Sequence, residues 1–423
     1  MIVVTGLCLT VVTGSSRVIS YLAFAISIVL LFAYQAPWSV WSQAFDENLY
    51  MVVMFSMVPL LKIPIRHGGY FEALRSVFQR FVHTRSRFYV FVALVSAFIG
   101  AIVNLAIVPL VFEVSRASHF SSDKRLLSAA MTRGFTSSTI WAPTMASIAL
   151  IIQLTGAKWI LFFPFGIGSG ILAGIVGYAI TMYEGRKEPQ QALETSEREA
   201  RPAGPSGYRK FAELCGFAFF LIVLIAVVSF ATGIHTITIV SLAALIFPVF
   251  WMGVLGRLGV LRREFRNGYF GESLPNLRSE VTLFAAAGFF ATTINYTKLG
   301  EYIPRALSGV VGSNVLLLTV AVIALAMALA VVGVHPIVTV AIIGGTVKAA
   351  AFGVSPTYMA MVLAISWAIG LSVSPSSATI IATAGLTGQS PVRVGTRWNG
   401  AYALVSAAVL ILMITGLRLA GLL

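Results

Sequence analysis

The chain has 423 residues, of which 58% are hydrophobic and only 10% charged, and its mean hydropathy is +0.91. A soluble domain carries about 25% charged residues, so this composition argues against a large water-soluble fold and indicates a surface that faces lipid. The formal net charge is +14. The basic residues lie in short loops between apolar runs and form no continuous stripe, which argues against a nucleic-acid partner.

Long apolar runs predict the membrane spans, because a helix needs about 20 apolar residues to cross a bilayer. Eight stretches meet this requirement: 18–34, 88–115, 159–183, 211–231, 236–255, 280–297, 312–334 and 398–421. Five others are shorter or are interrupted by Gly, Pro and Ser: 2–13, 48–61, 123–153, 336–347 and 356–385. Interrupted backbone at membrane depth is tolerated only where protein buries it or where it lines a cavity, so a functional site is expected there.

One long polar stretch, 184–210, carries charges of both signs and several prolines. The sequence predicts a linker here, between an N-terminal membrane half, 1–183, and a C-terminal half, 211–423. The halves resemble each other, because one constant offset pairs Gly68 with Gly300, Tyr70 with Tyr302, Arg116 with Lys348 and Phe120 with Phe352. We therefore predict two structural repeats.

Charge placement predicts that the repeats are inverted. Loops 62–87 and 256–279 are rich in Arg, and with the linker 184–210 they are expected in the cytoplasm. Segment 298–311, which contains the counterpart of 67–74, has only Lys298 and Arg305 and is expected outside. Inverted repeats whose broken helices meet near the midplane are typical of secondary transporters. We expect an integral protein of the bacterial inner membrane.

Two hairpin-like segments combine clustered hydroxyl groups with a proline. The first, 132–155, contains Thr136, Ser137, Ser138 and Thr139 before Pro143; in the second, 366–389, Ser374, Ser376, Ser377 and Thr379 surround Pro375. Proline disrupts the helical turn before it. Freed carbonyls and hydroxyls can then coordinate a cation, and the N-terminus of the following half-helix can bind an anion. These residues are predicted to bind substrate or ion, although Ser and Thr are also common packing residues between membrane helices.

Single polar residues in 101–110 and 332–344 predict two broken helices. Asn104 precedes Pro109, while His335 precedes Pro336 and is followed by Thr339. Buried polar groups are costly in hydrocarbon, so each is expected to face the interior of the bundle. Asn104 can offer its amide oxygen to a cation or its NH₂ group to a carboxylate. His335 can donate to substrate, carry a proton, or bond to a neighbouring helix carbonyl.

The chain resembles the ion transporter superfamily, especially its divalent anion:sodium symporter family, in four segments: 94–114, 135–156, 281–302 and 333–385. The resemblance implies a scaffold domain and a mobile transport domain, re-entrant hairpins, a homodimer and an elevator-type movement. Asn104 matches the Asn of the family's first Ser-Asn-Thr motif, with Val103 and Leu105 in the flanking positions, and the second motif is absent around His335. Such motifs support sodium sites, which would lie here near Asn104 and Ser374. Coupling to Na⁺, coupling to H⁺, exchange and uncoupled transport all stay open.

The sequence therefore predicts an all-α polytopic membrane protein, a secondary transporter of a small anion such as an organic acid. Its expected partners are the substrate, the bilayer and a second copy of the chain, with no cofactor beyond a coupling ion. The sequence contains no P-loop, GxSxG or HExxH motif, and no enzymatic activity is expected. The alternatives are a membrane subunit of a larger complex, an integral membrane enzyme acting on a lipid-linked substrate, and a channel.

Overall fold

A computed structural model of the chain describes residues 6, 9–12, 14–46, 49–186, 205–312 and 314–423, and the regular structure of these residues is entirely helical. Five helices precede the core of the first half: α1 (Gly14–Ala33), α2 (Trp38–Asp46), α3 (Leu49–Met57), α4 (Lys62–His67) and α5 (Tyr70–Phe81). Helix α5 is amphipathic and buries Tyr70, Leu74 and Phe78. Their spacing of four residues places them on one face.

The next five helices form the core of the first half: α6 (Arg85–Val103), α7 (Ile107–Ser115), α8 (Lys124–Ser138), α9 (Ala146–Thr155) and α10 (Trp159–Gly185). Helices α6 and α8 run parallel. At one end, Arg85 forms a 2.5 Å ion pair with Asp123, and at the other, Thr144 donates from Oγ1 to the Ala101 carbonyl. The chain reverses between them at Asn104, where a φ of +57° ends α6, and α7 packs back against α6. Helices α6 and α7 are therefore a hairpin.

Five helices lead into the core of the second half: α11 (Pro205–Thr232), α12 (Thr236–Val254), α13 (Leu258–Glu264), α14 (Leu274–Asn276) and α15 (Arg278–Tyr296). A π-helix, Phe265–Ser273, joins α13 to α14. A short helix, α16 (Tyr302–Val311), then meets α17 (Val315–Val331) at an angle of 118°. The amphipathic α5 likewise comes directly before α6.

The remaining helices repeat the order of the first core: α17, α18 (Pro336–Thr346), α19 (Pro356–Val373), α20 (Ala378–Thr387) and α21 (Trp398–Leu419). Helices α17 and α19 are also parallel. The hydroxyls of Thr319 and Tyr358 lie 2.8 Å apart near one end. Near the other end, a Cβ added to Gly370 would lie 3.1 Å from Pro336 and 3.4 Å from Ala330. The chain reverses at 332–335, so α17 and α18 form a second hairpin.

The two cores interlock. Helix α20 of the second half packs against α7 and α8 of the first, and α9 packs against α18 and α19. Helices α8 and α19 also pack against each other. The helix that follows the break in each half therefore lies on the hairpin of the other half, and both halves build one central apolar cluster.

By length and composition, seven helical runs in the described part of the chain are apolar enough to cross a membrane: Trp38–His67, Arg85–Ser115, Trp159–Gly185, Gly207–Thr232, Thr236–Val254, Pro356–Thr387 and Arg393–Leu419. Of these, Arg85–Ser115 contains both arms of the first hairpin, and Trp38–His67 also includes residues 47–48, which lie outside the described part. The seven runs confirm the predicted polytopic helical membrane protein. Helices α10 and α11 reach into the predicted linker 184–210, up to Gly185 and from Pro205, and residues 187–204 lie outside the described part of the chain.

The predicted placement of hairpins and broken helices is wrong, because the structure reverses it. Pro356–Thr387 is one 32-residue run interrupted at 374–377, whereas 101–110 and 332–344 contain the turns of the hairpins. Pro109 and Pro336 stand in the first turns of α7 and α18. Proline is tolerated there because the first N–H groups of a helix have no intrahelical partner. These prolines begin helices and do not bend them.

Candidate functional site

The first break, residues 139–145, is buried along its whole length between α8 and α9. Thr144 ties it to the hairpin turn through the Ala101 carbonyl, and Trp159 of α10 donates from Nε1 to the Trp141 carbonyl at 3.2 Å. Gly170 of α10 lies close enough that an added Cβ would stand 3.1 Å from the Ser137 carbonyl oxygen. The break is thus fixed between the tip of its own hairpin and α10.

All four predicted hydroxyls at the end of α8 donate to carbonyls of their own helix: Thr136 to Thr132 at 2.9 Å, and Ser137 to Gly134, Ser138 to Phe135 and Thr139 to Thr136 at 2.7 Å each. Such bonds are the usual partners of Ser and Thr inside helices. Each hydroxyl has one hydrogen, and here it is used. The cluster therefore offers oxygen lone pairs, which suit a cation better than an anion.

The second break, residues 374–377, has a different hydrogen-bonding state. Ser374 and Ser376 have their hydroxyl oxygens 2.9 Å apart, and whichever donates, the other keeps its hydrogen. Ser377 donates to the Leu371 carbonyl at 3.0 Å and accepts from the Ile380 amide at 3.3 Å, which caps α20. Pro375 and Ser376 are half-buried, and Thr379 is buried in the first turn of α20. A free hydroxyl hydrogen beside a helix N-terminus suits an anion.

Asn104 and His335 lie at the turns of the two hairpins. Asn104 is half-buried, and its side chain has no hydrogen bond to the described part of the chain. His335 accepts from the Ile337 amide through Nδ1 at 3.2 Å and so caps α18. An Nδ1 that accepts leaves Nε2 as the donor of the neutral ring. Thr339, one turn later, is buried, and its hydroxyl has no partner among the described residues.

The structure brings each hairpin turn to the break of its own half. The first turn meets its break through Ala101 and Thr144. In the second, Pro336 lies against Gly370, one turn before the break, where an added Cβ would stand 3.1 Å from it, and the His335 ring lies 6.0 Å from Trp367 of α19. The clusters of the two halves sit on helices that pack against each other, yet the described residues show no direct hydrogen bond between them. A sodium site near Asn104 and Ser374 stays a prediction.

Sequence reasoning missed Arg133, which lies one turn before Thr136 and is 1% exposed. Its guanidinium donates to Asn399 Oδ1 at 2.9 Å, to Thr181 Oγ1 at 2.6 Å, and to the carbonyls of Trp398 at 2.9 Å and Gly177 at 3.2 Å. Its Nη2 lies 4.0 Å from the Glu184 carboxylate. The signal was present, because an arginine inside an apolar segment is costly and marks a functional or organising role.

Comparison with known proteins supports the fold. No family model matches the chain, and no curated protein matches it; membership of the divalent anion:sodium symporter family therefore stays a prediction. The chain is similar in structure to the YdaH transporter of Alcanivorax borkumensis, described as having an unusual topology, with a TM-score of 0.59, 13% identity, and coverage of 95% of this chain and 97% of that one.

A second similar structure is MtrF of Neisseria gonorrhoeae, described as illuminating a class of antimetabolite efflux pumps. Its TM-score is 0.58 at 13% identity, and the alignment covers 90% of this chain and 85% of that one. At this identity the likeness concerns the fold. It extends over nearly the whole chain and so includes both halves.

Proposed function

We propose that the chain is a secondary active transporter that carries a small anion across the membrane by an elevator-type alternating-access mechanism. The proposal rests on the way the two halves interlock. In each half a hairpin, α6–α7 or α17–α18, is followed by an interrupted helix, α8–α9 or α19–α20, and the helix after the interruption packs on the hairpin of the other half. Non-helical backbone at membrane depth occurs only where protein buries it or where it lines a cavity. In secondary transporters, the ends of such interrupted helices form the binding site at the interface of the two repeats. The fold shared with two transport proteins supports the same conclusion.

Inversion of the two halves is part of the proposal, and the basic residues support it. If loop 62–87 is cytoplasmic, the order of the helices puts only five of the 29 Lys and Arg residues on the outer side: Lys158, Lys298, Arg305, Lys348 and Arg418. This is the bias that the positive-inside rule describes. Helix α6 then enters from the cytoplasm and α17 from outside, so the two hairpins approach the centre from opposite faces.

The two breaks have different proposed tasks. At the second break, Ser374 and Ser376 retain one hydroxyl hydrogen and α20 presents its N-terminus, so this break binds the anion. At the first break the hydroxyl hydrogens of Thr136–Thr139 are used, so the oxygens there serve a coupling cation, either Na⁺ or a proton carried as hydronium. We also propose that the protein is a homodimer, in which the two cores, α6–α10 and α17–α21, move together against the remaining helices.

Flux through proteoliposomes tests the proposed function. The purified chain is reconstituted and offered a panel of inorganic anions, carboxylates and aromatic acids, with sodium and proton gradients imposed separately. Uptake and release are both measured, because one structurally similar protein is described as an efflux pump. We expect at least one anion to accumulate under one gradient. If no anion moves in either direction under any gradient, the transporter proposal is wrong.

A further inference from the structure

Arg133 and Asn399 connect the two halves of the chain inside the core. The Arg133 Nε donates to Asn399 Oδ1 at 2.9 Å. Asn399 then donates from Nδ2 to Thr132 Oγ1 and to the Val394 carbonyl, both at 3.1 Å. Both Arg133 and Asn399 are almost fully buried. Asn399, in the first turn of α21, therefore binds α8 and the segment just before α21 at the same time.

On the first side, this connection reaches the hydroxyl cluster of the first break. Thr136 donates to the carbonyls of Thr132 and Arg133, at 2.9 Å and 3.2 Å. The two residues that contact Asn399 thus also hold the first hydroxyl of the cluster. A shift of this turn would move Thr136 and the three hydroxyls that follow it, because they share one helix.

On the second side, the connection reaches the second break through a π-helix, Arg393–Arg397. The carbonyls that receive Asn399 and Arg133 belong to Val394 and Trp398, at the two ends of this π-helix. Short π-helical segments within α-helices often occur at functional sites.

The π-helix contacts the helices on both sides of the second break. Thr396 donates from Oγ1 to the carbonyl of Val373, the last residue of α19, at 3.2 Å. Gly395 lies so close that an added Cβ would stand 2.8 Å from the same carbonyl oxygen. Val394 packs in a buried cluster with Ile380 and Ala384 of α20. The geometry of residues 374–377 therefore depends on where the π-helix sits.

A buried arginine is a costly way to join helices, because removing its charge from water carries a penalty that its new bonds only partly offset. Glu184 does not neutralise it fully, since this carboxylate lies closer to Arg125, at 2.9 Å. Apolar side chains would pack the same helices at lower cost. The arginine adds geometric precision, because the N–H donors of its planar guanidinium group bind their acceptors only at defined angles and distances.

We propose that Arg133 and Asn399 are positioning residues that hold the two breaks in a fixed relation, so that the anion site at the second break and the cation site at the first break form together. The inference rests on the proposed function and deepens it. Neither residue contacts the substrate. They act through Thr136 on one side and through the π-helix on the other.

Hydrogen–deuterium exchange tests the connection without any substrate. Asn399→Ala removes it, whereas the matched control, Thr181→Val, removes a different bond of the same arginine, the one to α10. The amides of Ser374 and Ser377 report on the second break, since they donate to the carbonyls of Gly370 at 2.9 Å and Ser374 at 3.1 Å. We expect exchange in 374–377 to become about tenfold faster in Asn399→Ala, as loss of one buried hydrogen bond allows, and to stay unchanged in Thr181→Val.

Unchanged exchange in Asn399→Ala, or an equal increase in both variants, would overturn the inference. Thr132→Val, which removes the bond from Asn399 to Oγ1 together with the local bond of this hydroxyl to the Ser128 carbonyl, serves as a milder variant if Asn399→Ala does not fold, and the same segment should then exchange faster. The exchange result stands even if wild-type protein moves no anion, so failure of this inference and failure of the proposed function are separate outcomes.

Transport kinetics add a second readout. Asn399→Ala and Thr396→Val should each raise the KM for the transported anion about tenfold, with the maximal rate little changed, because both release the second break. The KM of the double variant should be no higher than that of either single variant, because Asn399 acts on the second break through the same π-helix that contains Thr396. Multiplied effects on KM would mean that the two residues act independently and would contradict the positioning role.

Discussion

Gly134 of α8 lies so close to Ala93 of α6 that a Cβ added to Gly134 would stand 2.4 Å from the Ala93 carbonyl oxygen. The two parallel helices therefore touch backbone to backbone at this point. The contact excludes any side chain from the space between them, so α7 must pack beside the pair. Gly134 thus allows the close packing of α6 and α8 beside the first hairpin.

Replacement of Gly134 by Ala should destabilise the protein by about 1–3 kcal/mol, because the new methyl group forces α6 and α8 apart. Gly168→Ala in α10 is the matched control, since nothing lies within 4 Å of an added Cβ there. That change should be neutral or stabilising by up to about 1 kcal/mol, the difference in helix propensity between Gly and Ala. The unfolding temperature in detergent measures both, and equal shifts would contradict the close contact.

His335 should tolerate Asn better than Ala, because Asn also accepts the Ile337 amide and caps α18. His335→Ala should cost about 1 kcal/mol of stability, and His335→Asn much less. The pH dependence of transport should persist in His335→Asn, since an imidazole protonated on both nitrogens has no lone pair with which to cap the helix. A folded His335→Asn variant whose transport no longer depends on pH would show that the histidine carries the proton.

Tyr70 and Tyr302 occupy equivalent positions in the two halves but have different surroundings. Tyr70 donates to Glu213 Oε1 at 2.6 Å and accepts from Trp251 Nε1 at 2.8 Å, whereas Tyr302 is 64% exposed. Tyr70→Phe should therefore destabilise the protein by about 1–3 kcal/mol, the cost of leaving buried partners unsatisfied. Tyr302→Phe should have almost no effect, and comparable losses in thermal unfolding would rule out this distinction.

Stability should also depend on pH through Tyr70, because burial and the hydrogen bond to Glu213 raise the pKa of its phenol. An unfolded tyrosine ionises near pH 10. Since the folded protein disfavours the ionised form, the contribution of Tyr70 is complete below about pH 10 and is lost as the pH rises further. Wild-type stability should fall more steeply above this pH than that of Tyr70→Phe, and parallel pH profiles would contradict the assignment.

Much of the fold could be predicted from the sequence, because lipid imposes a strong and local constraint on composition. The constant offset between the halves also reflects structure. Tyr70 and Tyr302 begin the equivalent helices α5 and α16, and Phe120 and Phe352 lie in equivalent 3₁₀ turns. These features depend on residues that are close in sequence.

The arrangement of the candidate site could not be predicted in the same way. Pro336 is compatible with a kinked helix and with the first turn of a new one, and only the parallel packing of α17 and α19 decides between them. Arg133 meets Asn399 across 266 residues of sequence. Tertiary packing alone reveals such a pair. The sequence likewise does not show which Ser and Thr hydroxyl hydrogens already form hydrogen bonds within the protein. That difference decides whether a break is suited to an anion or to a cation.

Anion flux in a Ser374→Ala/Ser376→Ala variant tests the central claim, that a small anion crosses through the second break. Ser372→Ala is the matched control, because its hydroxyl is buried nearby and donates to the Ile369 carbonyl of its own helix at 2.8 Å. The double variant should fold normally and show a KM raised at least about tenfold, as loss of a hydrogen bond to a charged ligand implies. Ser372→Ala should transport like wild type. Unchanged flux in the double variant would contradict the account.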